Sequence, residues 1–470
     1  MGEPELLGLT IAKASKALCA RELSPLELTQ AYLSRIERLD SRVNAYITVT
    51  AERALADARG ATAEIASGKW RGPLHGIPIG LKDLYETAGI RTTGGAKIHA
   101  EHIPAADCTV ARRLREAGTV LLGKLNTHEY AYGVTTNNPH YGPTRNPWNL
   151  EHIPGGSSGG SGAAIAAGLA TATTGTDTGG SIRMPASVCG VVGLKPTYGR
   201  VSKAGVLPLS YLFDHTGPIT RTVEDAALVL NAIAGYDPAD ATTVRIPVAD
   251  YTSALGEGLR GLRIGVPRPY FFAHLEDEVA STVERAISEL RGLGAELRDL
   301  EIPGLDAGVG ALFGLVLAEA KEIHAHSLRT RAADFGADVR DLLSSPMPDA
   351  MSLMQALRAR DALCVSFRQA LESVDLLLTP TTPIVAARIG AESVRYGGRE
   401  ESVLGAMIRC TAPFNATGQP ALSLPCGFTR AGLPVGLQLV GRAFDEVTVL
   451  RAGHAYEQAT GWHQKNPALG

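Results

Sequence analysis

The sequence is poor in aromatic residues, which make up 5% of its 470 positions, and it has only six cysteines. Cys19, Cys108, Cys189, Cys364, Cys410 and Cys426 are scattered, with no C-x-x-C pair. That spacing argues against a disulfide framework or a thiolate metal site and predicts reduced, mostly buried thiols in a cytoplasmic protein. An excess of one charge is also missing. Lys and Arg number 45 and Asp and Glu 48, a net charge of −3, without the basic footprint of a nucleic-acid binder. No apolar run approaches the ~20 residues that span a bilayer, and the N-terminal Met-Gly-Glu-Pro-Glu lacks a basic signal-peptide region. No nucleic-acid partner and no membrane partner are therefore expected.

Cofactor motifs are equally scarce. There is no H-E-x-x-H, and the pairs His99/His102 and His324/His326 have no ligand set at metal spacing. No G-x-G-x-x-G follows a strand. Gly118–Leu125 misses the phosphate-loop pattern because Leu125 stands where Mg²⁺ needs a hydroxyl, so Lys124 reads as a strand-end lysine. Neither a metal nor an organic cofactor is expected.

What is present is apolar patterning, at 45% hydrophobic residues, and glycine, at 52 residues. The first 70 residues read as a helical segment, with Ser24-Pro25 as an N-cap followed by proline at the first helical position. From 71 to 470 short apolar runs alternate with helical patterns. Strands are expected at Gly76–Leu81, Thr119–Leu122, Ala170–Thr174, Leu262–Val266, Val374–Leu378, Ala421–Leu424 and Val435–Val440. Helices are expected at Asp107–Ala117, Val223–Ile233, Glu278–Leu293, Leu312–Arg331 and Val447–Gln458. This order predicts an α/β fold with a large, buried central β-sheet layered between helices. Residues 300–410 read as a helical cap or insertion.

Thirteen of the 51 residues from Gly155 to Gly205 are glycine. Apolar runs interrupt them, so this is packed structure in which bare backbone approaches backbone or ligand. Gly155-Gly156-Ser157-Ser158-Gly159 spells G-x-S-x-G, but Pro154 and a polar loop precede it, so the strand a nucleophile elbow needs is missing. Thr178-Gly179-Gly180-Ser181 can aim successive N–H groups at one point, as an oxyanion hole requires. Ser181 is the candidate nucleophile, and it needs a base. No histidine lies between His152 and His215, whereas Lys82 ends an apolar strand, where burial would favour its neutral form. The alternative is a lysine paired with Asp83.

Taken together these residues resemble the amidase signature family. The similarity runs from about Leu74 to Asp240 and resumes at Val374–Pro383 and Thr417–Gly441. The resemblance implies the amidase signature fold with a large mixed sheet, and a Ser–cis-Ser–Lys triad. By position, the base falls on Lys82, the bridging serine on Ser157 and the nucleophile on Ser181, with Ser158 as a neighbouring support. Thr178, Gly179, Gly180 and Ser181 would form the oxyanion hole, and Asp177 and Arg183 would brace it. The resemblance also assigns Ala131, Tyr132 and Gly133 to the acyl pocket, closed by parts of 310–345 and 384–416.

The implied activity is hydrolysis of a carboxamide C–N bond through an acyl-enzyme on Ser181, in a free-standing linear amidase. Carbamate (urethane) or ester hydrolysis by the same triad is an alternative. So is the glutaminase component of a tRNA-dependent amidotransferase, which the Gly142–Pro147 motif resembles but whose Tyr-Asp-Gly-Val-Arg-Tyr-Gly motif is absent. A non-catalytic binding relative is the remaining alternative. The expected partners are a small-molecule amide, carbamate or ester and, at most, a second copy in a homodimer.

Overall fold

The computed structural model describes residues 3–469; Met1, Gly2 and Gly470, the outer ends of the two expected segments, lie outside the described residues. One mixed sheet of eleven strands organises the chain. In chain order they are β1 Tyr46–Val49, β2 Pro78–Lys82, β3 Val120–Leu125, β4 Ala172–Asp177, β5 Val192–Lys195 and β6 His215–Thr220, then β7 Arg263–Val266, β8 Glu296–Asp299, β9 Leu376–Pro380, β10 Ala421–Phe428 and β11 Pro434–Gly441. Their spatial order is β1-β3-β2-β4-β6-β5-β10-β11-β9-β7-β8. The pairs β2–β3 and β2–β4 are parallel, and the ladder from β4 through β6, β5, β10 and β11 to β9 is antiparallel. β2 and β4, central and buried at every position, read as continuous runs of apolar or small residues and threonine up to the charged Lys82 and Asp177 at their ends, rather than alternating ones.

The cap expected at Ser24 forms. Its hydroxyl accepts from Glu27 N–H, the Glu27 carboxylate in turn accepts from Ser24 N–H, and Pro25 opens a helix to Val43. This reciprocal pairing satisfies two amides that a helix start leaves orphaned. The N-terminal segment is not wholly helical, however. β1 lies between two helices and pairs with β3, tying residues 46–49 into the sheet. A four-residue strand flanked by long helical periodicities carries no signal of its own.

The stretch 300–410 supplies helices Leu305–Ile323, Ala325–Arg331, Ala337–Ser344 and Ala350–Ser373, the first and last packed together. The single helix expected at Leu312–Arg331 is two, broken at His324. The stretch then returns to the sheet as β9 and adds a separate hairpin, Ser393–Tyr396 with Arg399–Ser402. No helix among the described residues is long and apolar enough to cross a membrane.

Candidate active site

The parallel register of β2 on β4 sets Ile79 beside Ala172 and Gly80 beside Thr173. Continued by two residues, it brings the end of β2 alongside Thr174 and Thr176. Lys82 N–H donates to Thr174 Oγ1 at 3.3 Å, and Lys82 Nζ lies 2.7 Å from Thr176 Oγ1 and 2.7 Å from Ser157 Oγ. The lysine is fully buried. Its desolvation, only partly offset by the charges of Asp214 and Asp177, pulls its pKa down to about 7. The alternative partner Asp83 is otherwise engaged: it accepts from Thr93 N–H at 2.8 Å and lies 3.8 Å from Lys124.

Ser157 follows a cis peptide bond from Gly156. Its carbonyl accepts from His128 N–H at 3.0 Å and from Thr127 Oγ1 at 2.9 Å, which fixes the turn. A Cβ on Gly156 would fall 2.7 Å from the Val134 carbonyl carbon, so glycine is required there. Ser158 crosses the loop instead of facing Lys82: its N–H reaches Ser181 O at 3.3 Å and its hydroxyl donates to Thr176 O at 3.2 Å.

Ser181 sits where β4 has ended and before helix Arg183–Cys189 begins. Among the described residues the N–H groups of Gly179, Gly180 and Ser181 have no intramolecular acceptor. Thr178 Oγ1 donates to Asp214 at 2.5 Å, and Thr411 Oγ1 donates to Gly179 O at 2.6 Å, so both sides of the loop are held. Behind it Arg183 makes a two-pronged pair with Asp177, at 3.0 and 2.9 Å, and reaches Thr411 O, Gln438 and Asn415. Both members are fully buried. Burial alone would raise the Asp177 carboxyl, but the Arg183 guanidinium, with Lys195 and Asn415, holds it well below the usual carboxylate range.

Ser181, Thr178 and Gly179 line an 80 Å³ pocket together with Ala131, Tyr132 and Gly133. Tyr130 and Ala131 both take left-handed backbone, at φ 49° and 61°, an arrangement that persists only when the surroundings impose it. Here His99 Nδ1 meets Tyr130 OH at 2.9 Å, and the His324 ring packs 4.4 Å from the tyrosine ring. Leu312, Phe313, Val316 and Leu342 from the helical stretch, with Leu404 and Ile408, close the far side. The wall is almost entirely hydrocarbon. Thr176, Asn415 and Gln438 were not singled out from the sequence. Only Thr176 left a trace, as the second member of an i, i+2 pair with Thr174 on one face of a strand.

The amidase family pattern matches residues 27–450. The chain belongs to the amidase family. A relative from Moorella thermoacetica, named as the A component of glutamyl-tRNA(Gln) amidotransferase, is 48% identical over 491 residues, covering 99% of each chain. A solved structure described as a vestigial protein complex bearing on the origins of an s-triazine catabolic enzyme superposes with a TM-score of 0.92 at 36% identity, covering 96% of this chain and 99% of that one. A bacterial aryl acylamidase of the amidase signature family superposes at 0.90 with 28% identity, covering 97% of each. The large mixed sheet with helices is the amidase signature fold.

The first of these relatives corrects the expected partners. A chain nearly half identical along its whole length is named as one component of a glutamyl-tRNA(Gln) amidotransferase, against the expectation of a small-molecule substrate, no nucleic acid and at most a homodimer. The net charge misled because it describes one chain. In an assembly the nucleic-acid surface can belong to another component, leaving this one near neutral.

Proposed function

We propose that this amidase cleaves a carboxamide C–N bond through an acyl-enzyme on Ser181, as the amide-cleaving component of an amidotransferase-type assembly. One observation carries the chemistry: a fully buried lysine with a pKa near 7 stands 2.7 Å from the Ser157 hydroxyl. At neutral pH much of Lys82 is uncharged and can accept a proton. Ser157 passes its proton to Lys82 and takes that of Ser181, whose oxygen attacks the carbonyl carbon. The N–H groups from Thr178 to Ser181 receive the developing oxyanion, a role worth about 2.7–4 kcal/mol per donor. The relay then runs backwards and protonates the leaving nitrogen, which departs as ammonia when the amide is primary. Water repeats the attack and frees Ser181. Asp177 and Arg183 keep the loop in place, and Ala131, Tyr132 and Gly133 shape the acyl side.

The assembly part of this reading is supported by the name and full-length similarity of the Moorella relative. The hydrocarbon wall of the acyl pocket favours a second reading, in which the same relay hydrolyses amides with an apolar acyl group, and carbamates or esters offer the same acyl carbon. A substrate panel separates them. Purified chain is assayed with glutamine, aryl amides, carbamates and esters, alone and with the other components of an amidotransferase. Glutamine turnover that requires those components supports the first reading, and turnover of aryl amides by the chain alone supports the second. Ser181→Ala should remove activity by at least about 10⁴-fold on any of them. Retained activity refutes the nucleophile.

A further inference from the structure

The acyl pocket, at 80 Å³, is well below the roughly 300–1,000 Å³ of sites that enclose a small ligand. Next to it lies a cavity of 540 Å³. Phe313 and Ile408 line both and form the partition between them. The two spaces differ in chemistry. The larger is bordered by Arg399, Glu401 and Arg409, with Glu301 and Asp306 at its exposed rim.

These charges are not equally available. Arg399 pairs with Glu401 at 3.1 Å, and Glu401 also accepts from the Tyr396 hydroxyl. Arg409 is held differently. Its Nη1 and Nη2 donate to the carbonyls of His274 and Tyr270 at 3.3 and 2.9 Å, and its guanidinium stacks 4.8 Å above the Tyr270 ring. Among the described residues it makes no ion pair with a carboxylate. Its side chain is therefore positioned by neutral groups, with no carboxylate in ion-pair contact and Glu401 and Asp306 further off along the same cavity. Arg409 also follows Ile408 directly and precedes by two residues Thr411, whose hydroxyl holds Gly179 O at 2.6 Å. The cation is thus tied to the loop that carries Ser181.

We propose that the substrate straddles the Phe313–Ile408 partition, with its carboxamide and a short hydrocarbon stem in the acyl pocket and a terminal carboxylate on Arg409. This rests on the reading that Ser181 is acylated, and it narrows the substrate to ω-amides of short carboxylic acids. Hydrocarbon walls suit the stem, and the half-buried guanidinium, which donates in a fixed fork, suits the carboxylate. Glu301 and Asp306 at the rim would tolerate an α-ammonium beside that carboxylate, which makes glutamine a member of the class. Arg409 is on this account a specificity-determining residue.

The test compares glutaric acid monoamide with its uncharged congener, glutaric diamide. Binding of each to the Ser181→Ala protein is measured by calorimetry, so that no turnover is needed. The anionic amide should bind at least about tenfold more tightly, the scale of one charge-assisted hydrogen bond. Arg409→Gln in the same protein should bring that ratio close to one, while Arg409→Lys should keep part of it. A ratio near one before any change at Arg409, or a preference that survives Arg409→Gln, overturns the proposal. Should Arg409→Gln fail to fold, the kcat/KM ratio of the two amides in the unmodified protein decides alone. Turnover of both amides at equal kcat/KM overturns this inference and leaves the acyl-enzyme intact. Selective binding without any turnover does the reverse.

Discussion

Replacing Thr176 by valine removes one hydroxyl and little volume from behind the proposed relay. In the structure Lys82 Nζ has two hydroxyl neighbours, Ser157 and Thr176, each at 2.7 Å and all buried. Once lysine is neutral, one N–H directed at Thr176 turns the nitrogen lone pair toward Ser157. In the proposed relay Thr176 is therefore a positioning residue. Its hydroxyl also stabilises the ammonium more than the amine. A hydrogen bond to a charged group contributes about 1.5–3 kcal/mol and one to a neutral group about 0.5–1.5 kcal/mol, so the difference is about 1–1.5 kcal/mol. At 1.36 kcal/mol per pKa unit, Lys82 should fall by about one unit, from about 7 to about 6. Loss of the acceptor removes stabilisation of the charged form, so the shift is downward. The acid limb of kcat/KM against pH should move down by the same amount, while the plateau should drop about tenfold or more because the lone pair is no longer aimed. The assay is kcat/KM from pH 5 to 9 at constant ionic strength, on one amide without a titrating group, for Thr176→Val and Thr176→Ser. Serine keeps the hydroxyl and should keep the limb. A limb that stays still or rises in Thr176→Val, or that moves equally in Thr176→Ser, would refute the role given to Thr176 and the identity of the titrating group.

Three further outcomes follow from the same geometry. Arg183→Met leaves the Asp177 carboxylate buried without its cation and should cost about 3–5 kcal/mol, read as a lower denaturant midpoint with little change in the slope of the transition. Gly180→Ala places a Cβ on Thr411 Oγ1 at a φ of 136°, so the Thr178–Ser181 loop, proposed above to hold the oxyanion, must shift; kcat should fall about 10²–10³-fold with a smaller change in KM. Burial pushes the Asp225 and Glu457 carboxyls up to about 7 and about 8. Both hold protons in the folded state that the unfolded chain releases above about pH 4, so their contribution to stability is full at low pH and is lost as pH rises toward 7–8. Melting temperatures should accordingly rise less from pH 8 to pH 5.5 in Asp225→Asn/Glu457→Gln than in the unmodified chain, and an unchanged difference counts against the burial argument.

The parts of the site legible in the sequence are those that backbone chemistry demands locally. Gly-Gly-Ser-Ser and Thr-Gly-Gly-Ser announce themselves because tight turns and bare N–H groups admit few other residues. Lys82 stood out because it ends an apolar strand. Thr176 escaped because the strand was expected to stop at Thr174; extended to Asp177, the period of two sets Thr174 and Thr176 on the face that meets Lys82. Asn415 and Gln438 reach Arg183 from segments more than 200 residues away, and no local pattern encodes that meeting. The hairpin at 393–402 had a Gly397-Gly398 turn signal, but its strands are polar and lie outside the main sheet, so apolar patterning passed over them.

The division of labour between sheet and surroundings has a consequence for how this amidase can change. Lys82 and Thr176 belong to two neighbouring central strands whose pairing cannot slip by one residue without turning both side chains away. Phe313, Leu342 and Ile408, by contrast, come from helices that pack on one another or on the separate 393–402 hairpin. Substitutions there can accumulate without disturbing the register of the strands that hold the lysine. Lineages descended from such a scaffold can diverge in diet while inheriting one reaction, and the record of that divergence should be sought in the helices rather than in the strands.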